Sequence, residues 1–102
     1  VPLPEAPGPF FIATLGEVAR RAGFVMAETL RRAGIPAFTD YGARSLKAQM
    51  KYAGKTGARF VVIIGTEELE RGAALVRDMS SGNQETVVFE DIAGYLAGKN
   101  QA

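Results

Sequence analysis

The run FVVII, Phe60 to Ile64, sets the tightest limit on what this chain can fold into. It is unbroken, largely β-branched, entered from Arg59 and closed by Gly65, so it has no polar face to turn toward water. That pattern predicts a strand covered on both sides, which is the habit of parallel sheets with helices above and below. The preceding segments fit the same frame. Phe10 to Thr14 reads as a short apolar strand. A helix follows, with Thr14 and Glu17 as a capping box and Val18, Ala22, Val25, Met26, Thr29 and Ala33 as its inward stripe. Phe24 falls on its polar side, and Gly34 and Pro36 stop it. Ile35 to Thr39 is a second strand candidate and Asp40 to Ala43 a loop, after which Ser45 can cap a second helix.

Beyond the central run, TEELERG predicts a helical turn. Ala73 to Met79 and Gln84 to Phe89 read as strands joined by the hairpin signal SSGN. Glu90 to Leu96 reads as a short closing helix with Ile92, Leu96 and Tyr95 inward, before a frayed AGKNQA tail. The order β-α-β-α-β-β-β-α demands helical crossovers between the first three strands, hence right-handed connections and a parallel core, with an antiparallel pair at one edge. The expectation is a three-layer α/β sandwich with about five strands in a mixed sheet. Ligands in such sheets sit off the carboxyl ends of the strands, here Thr14 to Gly16, Asp40 to Ser45 and Gly65 to Glu67.

At 102 residues the chain is one domain, large enough to bury a core. Its first nine residues, VPLPEAPGP, hold four prolines and read as an extended linker, and a start at Val1 rather than Met predicts a fragment or a processed product. The expected division is a linker over 1–8 from something upstream, a folded domain over 9–97, and a tail over 98–102. Cysteine and histidine are both absent, which removes disulfide frameworks, thiolate chemistry and the commonest general base and metal ligand. The reading is a cytoplasmic protein, since no apolar run approaches a membrane span and the N-terminus lacks the features of a signal peptide.

Net charge is +1, but it is unevenly placed. Residues 1–19 carry only Glu5 and Glu17; residues 20–59 carry nine Arg and Lys against Glu28 and Asp40; residues 60–102 carry three cations against seven acids. The stretch ARSLKAQMKYAGKTGAR, residues 43–59, holds Arg44, Lys47, Lys51, Lys55 and Arg59 with no carboxylate. On an ideal helical wheel Leu46, Met50, Ala53 and Gly57 cluster within about 60°, while the three lysines lie about 100° to 180° away. A plain solvated face is the ordinary reading of such a stripe; against it, the lysines have no acidic partner at three or four residues within the helix, and like charges at that spacing repel by a few tenths of a kcal/mol, a cost that binding a polyanion would explain. Free amides at the helix start add to Arg44 and Lys47 as an anion site. Tyr41, Tyr52 and Phe38 are close enough in sequence to offer stacking surfaces, and Gln49 to read a base edge, a mixture suited to single-stranded RNA.

Enzyme readings find little support. GKT at Gly54 to Thr56 lacks the earlier glycine of a phosphate-binding loop, since position 49 is Gln, and it falls at a helix end instead of preceding one. Glu67, Glu68 and Glu70 read as a solvated turn, with no nucleophile, metal ligand or oxyanion donor nearby. Ser45, Ser80 and Ser81 have no histidine to activate them.

From Asp40 to Leu96 the chain resembles the C-terminal anticodon-binding domain of histidyl-tRNA synthetase, a class II aminoacyl-tRNA synthetase. SLKAQMKYA, GARFVVIIG followed by EEL, and VRDMSSGNQETV carry the resemblance, and the earlier FFIATLG and RRAGI extend it to about residues 9–97. The resemblance implies a sheet of order 2-1-3-4-5 with one antiparallel strand, and a role in holding the anticodon loop of histidine tRNA. It places RNA contacts at Thr14, at Tyr41 and Arg44 in the loop, and at Lys47, Gln49 and Lys51 on the helix, with Lys55 at most near the phosphate backbone. It implies no cofactor in this chain: ATP, magnesium and histidine would bind in a separate catalytic core, through which the parent would form a homodimer. The chain alone is therefore expected not to be an enzyme. Phe24 and the acidic C-terminal half are candidates for docking on that core. The alternative is a docking or dimer-stabilising domain of a synthetase-like paralogue that does not charge tRNA.

Overall fold

The computed structural model describes residues 10–39 and 45–101. In chain order these form β1 (Phe10–Thr14), α1 (Glu17–Arg32), β2 (Ala37–Thr39), α2 (Leu46–Thr56), β3 (Phe60–Ile64), α3 (Thr66–Arg71), β4 (Ala73–Asp78), β5 (Gln84–Val88) and α4 (Phe89–Gln101). The five strands make one sheet of order β2-β1-β3-β4-β5. β1 runs parallel to β2 and β3, while β4 is antiparallel to both β3 and β5, so the mixed sheet expected from the sequence is present with one reversed strand. Every residue of β3 is buried, as its unbroken apolar run predicts.

Strand alternation divides the core between the two faces. Phe10, Ile12, Val62 and Ile64 pack with Ala19, Ala27 and Leu30 of α1 and with Ile92 and Leu96 of α4. Phe11, Ala13, Val61 and Ile63 turn the other way and meet α2 through Ala53. Gly82, at φ +82°, makes the β4–β5 turn, and Gly34, at φ +83°, lets the chain leave α1, where Ile35 N–H donates to Leu30 O at 2.9 Å. Among the described residues no helix is long and apolar enough to cross a membrane.

Three local expectations are corrected. The inward face of α1 is Ala19, Gly23, Ala27 and Leu30, whereas Val18 and Val25 are 70% and 62% exposed. The helix lies so close to the sheet that a Cβ on Gly23 would stand 2.5 Å from Thr14 Cγ2 and 3.2 Å from Ile12 Cγ2, so small residues have to occupy the contact. The capping box is likewise absent: Gly16 is the N-cap, with no side-chain bond, because Thr14 is still the last residue of β1. Finally, α4 begins at Phe89 and continues to Gln101, so residues 98–101, read as a frayed tail, are helical. No proline interrupts that stretch, and an interior glycine costs only about 1 kcal/mol.

Candidate nucleic-acid interface

The crossovers from β1 part company at the sheet's centre. α1 carries the chain to β2 on one side, and α2 carries it on to β3 on the other, leaving the carboxyl ends of β1 and β3 side by side. There Thr14 pairs with Ile64, and Leu15 N–H donates to Ile64 O at 3.0 Å. α2 starts beside this point. Ser45 Oγ accepts from Ala48 N–H at 3.2 Å, as the predicted cap should, and Gly57 closes the helix in the left-handed conformation at φ +81°. Gly57 is therefore an exposed cap, not a member of the apolar stripe, whose buried part is Gln49 and Ala53 flanked by half-buried Leu46 and Met50.

Lys47, Lys51 and Lys55 are all exposed on α2. Among the described residues the ion pair within 4 Å joins Arg71 to Glu67 at 3.9 Å, and none involves these lysines. The first turn of α2 has no acidic residue, so helix-start amides and lysine charge act together without internal neutralisation. Tyr41 and Arg44, the loop candidates, lie outside the described residues.

Thr14 is half-buried, and its methyl rests against Gly23 on the α1 side of the sheet, opposite the lysines. Its backbone is what meets α2. Thr14 N–H donates to Gln49 Oε1 at 2.9 Å, and Gln49 Nε2 donates to Thr14 O at 2.7 Å. Gln49 is only 2% exposed. The sequence held a sign of this, since on an ideal wheel Gln49 stands about 160° from both Lys47 and Lys51.

The aromatic side chains near the loop serve packing. Phe11 and Phe38 rings lie 4.9 Å apart, Phe11 and Tyr52 5.8 Å, and Phe38 and Tyr52 6.2 Å, a cluster that seats α2 on β1 and β2. At the end of β3, Glu68 is 8% exposed and accepts from Gly65 N–H at 2.8 Å. It is thus the turned-back carboxylate of a helix start, not part of a solvated turn, while Glu67 and Glu70 are exposed as expected. Phe24, 44% exposed, belongs to α1 with Val18 and Val25, on the face of the sheet away from α2.

Comparison with known proteins agrees with this arrangement. Residues 10–99 match the anticodon binding domain family. The histidine–tRNA ligase of Pelotomaculum thermopropionicum is 51% identical over 98 residues, which cover 95% of this chain and 23% of that protein. The histidine–tRNA ligase of Desulforamulus reducens is 46% identical over 100 residues, or 97% of this chain and 24% of its own length. Apo histidyl-tRNA synthetase from S. aureus superposes with a TM-score of 0.85 at 36% identity, over 94% of this chain and 28% of that one. The RNA binding domain of threonyl-tRNA synthetase from Cryptosporidium parvum shares the fold at 15% identity, with a TM-score of 0.81 over 90% of this chain and 23% of that one. The chain spans about a quarter of the length of the curated relatives it matches. It belongs to the anticodon-binding domain family, in the form that histidine–tRNA ligases carry.

Proposed function

We propose that the domain grips the anticodon loop of histidine tRNA while a catalytic core elsewhere in the parent protein aminoacylates the other end. The family match over residues 10–99 carries this reading. The exposed lysines of α2, which have no ion pair among the described residues, support it, because phosphate charge supplies much of the affinity of RNA for protein. By this reading Arg44, Lys47 and Lys51 meet the phosphate backbone and Tyr41 the bases, while Thr14 and Gln49, expected from the resemblance as contacts, stand behind that surface, Gln49 being only 2% exposed. By this reading the chain alone does not charge tRNA. ATP, magnesium and histidine belong to the core, through which the parent is a homodimer, and the protein works in the cytoplasm.

Fluorescence anisotropy with a labelled histidine anticodon stem-loop tests the reading. Binding should exceed that of a stem-loop with a permuted anticodon and weaken as salt rises, with a log–log slope of about −0.7 per phosphate neutralised. Changing Arg44 and Lys47 together to Ala should lower affinity about tenfold and flatten the slope. No detectable binding at low salt, or binding indifferent to both changes, contradicts the assignment.

A further inference from the structure

Strand β2 ends at Thr39, whose partner on β1 is Ile12. Along β1, alternate residues address alternate neighbours: Phe10 N–H donates to Pro36 O on the β2 side, and Leu15 N–H to Ile64 O on the β3 side. Thr14 is in step with Phe10 and Ile12, so its N–H and C=O face the β2 side, beyond Thr39, the last described residue of that strand. Gln49 meets both groups, accepting from the N–H at 2.9 Å and donating to the C=O at 2.7 Å. A primary amide holds an acceptor and a donor in one plane, as a peptide unit does. The side chain of Gln49 thus occupies the ladder place that a further β2 residue would take.

We propose that Gln49 is a positioning residue for RNA recognition and not a reader of bases: its amide stands in for β2 and fixes the start of α2, with Lys47 and Lys51, against the carboxyl end of β1. The proposal rests on the RNA-binding reading for its consequence. Its basis is the pair of bonds and the 2% exposure of the side chain, which leave its amide turned to backbone and away from solvent. Removing it strands a backbone donor and an acceptor and unlocks the angle between strand and helix. Every base contact that depends on that angle suffers together.

The test uses Gln49→Met, which keeps length and loses both bonds, and Gln49→Glu, whose carboxyl regains the acceptor and donor pair only when protonated. Hydrogen exchange at the Thr14 amide is followed without RNA, and affinity is measured for the histidine anticodon stem-loop and for loops with each anticodon base changed in turn. In Gln49→Met the Thr14 amide should exchange about tenfold faster relative to Ile12. Affinity should fall about tenfold, with discrimination reduced at all anticodon positions. Gln49→Glu should recover affinity, relative to wild type at the same pH, as acid protonates its carboxyl. Loss of discrimination at one base with Thr14 protection unchanged would make Gln49 a base reader and overturn the proposal. Wild-type binding retained by Gln49→Met overturns it alone, whereas a wild-type chain that does not bind the stem-loop overturns the RNA reading as well. If Gln49→Met does not fold, a pH-independent affinity of Gln49→Glu has the same contradicting force.

Discussion

Helices α1 and α2 each connect two parallel strands, yet they rest on the sheet by different means. α1 comes in close through Ala19, Gly23 and Ala27, and the larger apolar residues Val18 and Val25 remain exposed. α2 stands on an aromatic cluster of Phe11, Phe38 and Tyr52 and is tied to β1 by one polar side chain, Gln49. Contact through backbone and methyl groups leaves α1 little freedom to accept new volume. Contact through a side-chain amide sets the position of α2 through two directional bonds while its outer face stays open to lysines. The difference teaches that one helix of this domain is built for close packing and the other for placing charge.

Substitution can break this contrast. The largest effect is expected at Gly23, where Gly23→Val puts a branched side chain into the Thr14 and Ile12 methyls and should lower unfolding free energy by about 3 kcal/mol in urea titrations. A near-neutral result would mean that α1 is not seated as closely as its glycine implies. Replacing Lys47 and Lys51 together by Ala should leave stability within about 0.5 kcal/mol yet weaken stem-loop binding about tenfold, close to 1.4 kcal/mol. Stability loss without a binding effect would place α2 with α1 as a packing element. Gly54, on α2, has nothing within 4 Å of an added Cβ, so Gly54→Ala should stabilise by up to about 1 kcal/mol, opposite in sign to the change at Gly23.

The smallest effect concerns α4, which shares the α1 side of the sheet. Burial pushes the Tyr95 phenol above its ordinary value of 10.0, helped by its hydrogen bond to Glu85. A pKa raised in the folded state gives stability that is whole below the unfolded value and is lost as pH rises through the folded one. The wild type should therefore lose stability above about pH 10 more steeply than Tyr95→Phe, measured as the difference in thermal midpoints across that range.

Much of the fold could be read from local chemistry. FVVII fixed its own burial, Ser45 its cap, Gly34 the end of α1, and SSGN the β4–β5 turn, because each acts over a few residues. What escaped depends on distance. Hydropathy points to Val18 and Val25 as inward, but α1 meets the sheet through Ala19, Gly23 and Ala27 before Leu30, and such small residues contribute weakly to a hydrophobic stripe. Glu68 reads as solvated among its acidic neighbours until the amide of Gly65 is seen to hold it. Gln49 and Thr14 are 35 residues apart, and no local pattern announces that a glutamine will complete a strand ladder. Exposure of Lys47 and Lys51 follows from the wheel, whereas the proposal that they face RNA rests on the family resemblance.

A chemical-shift map of this chain titrated with the histidine anticodon stem-loop tests the central claim most directly. The account predicts shifts concentrated at Thr14, Tyr41 to Ser45 and Lys47 to Lys51, with the backbone of α1 and α4 little changed. Shifts confined to α1, α4 or the acidic C-terminal half, with α2 silent, would contradict it.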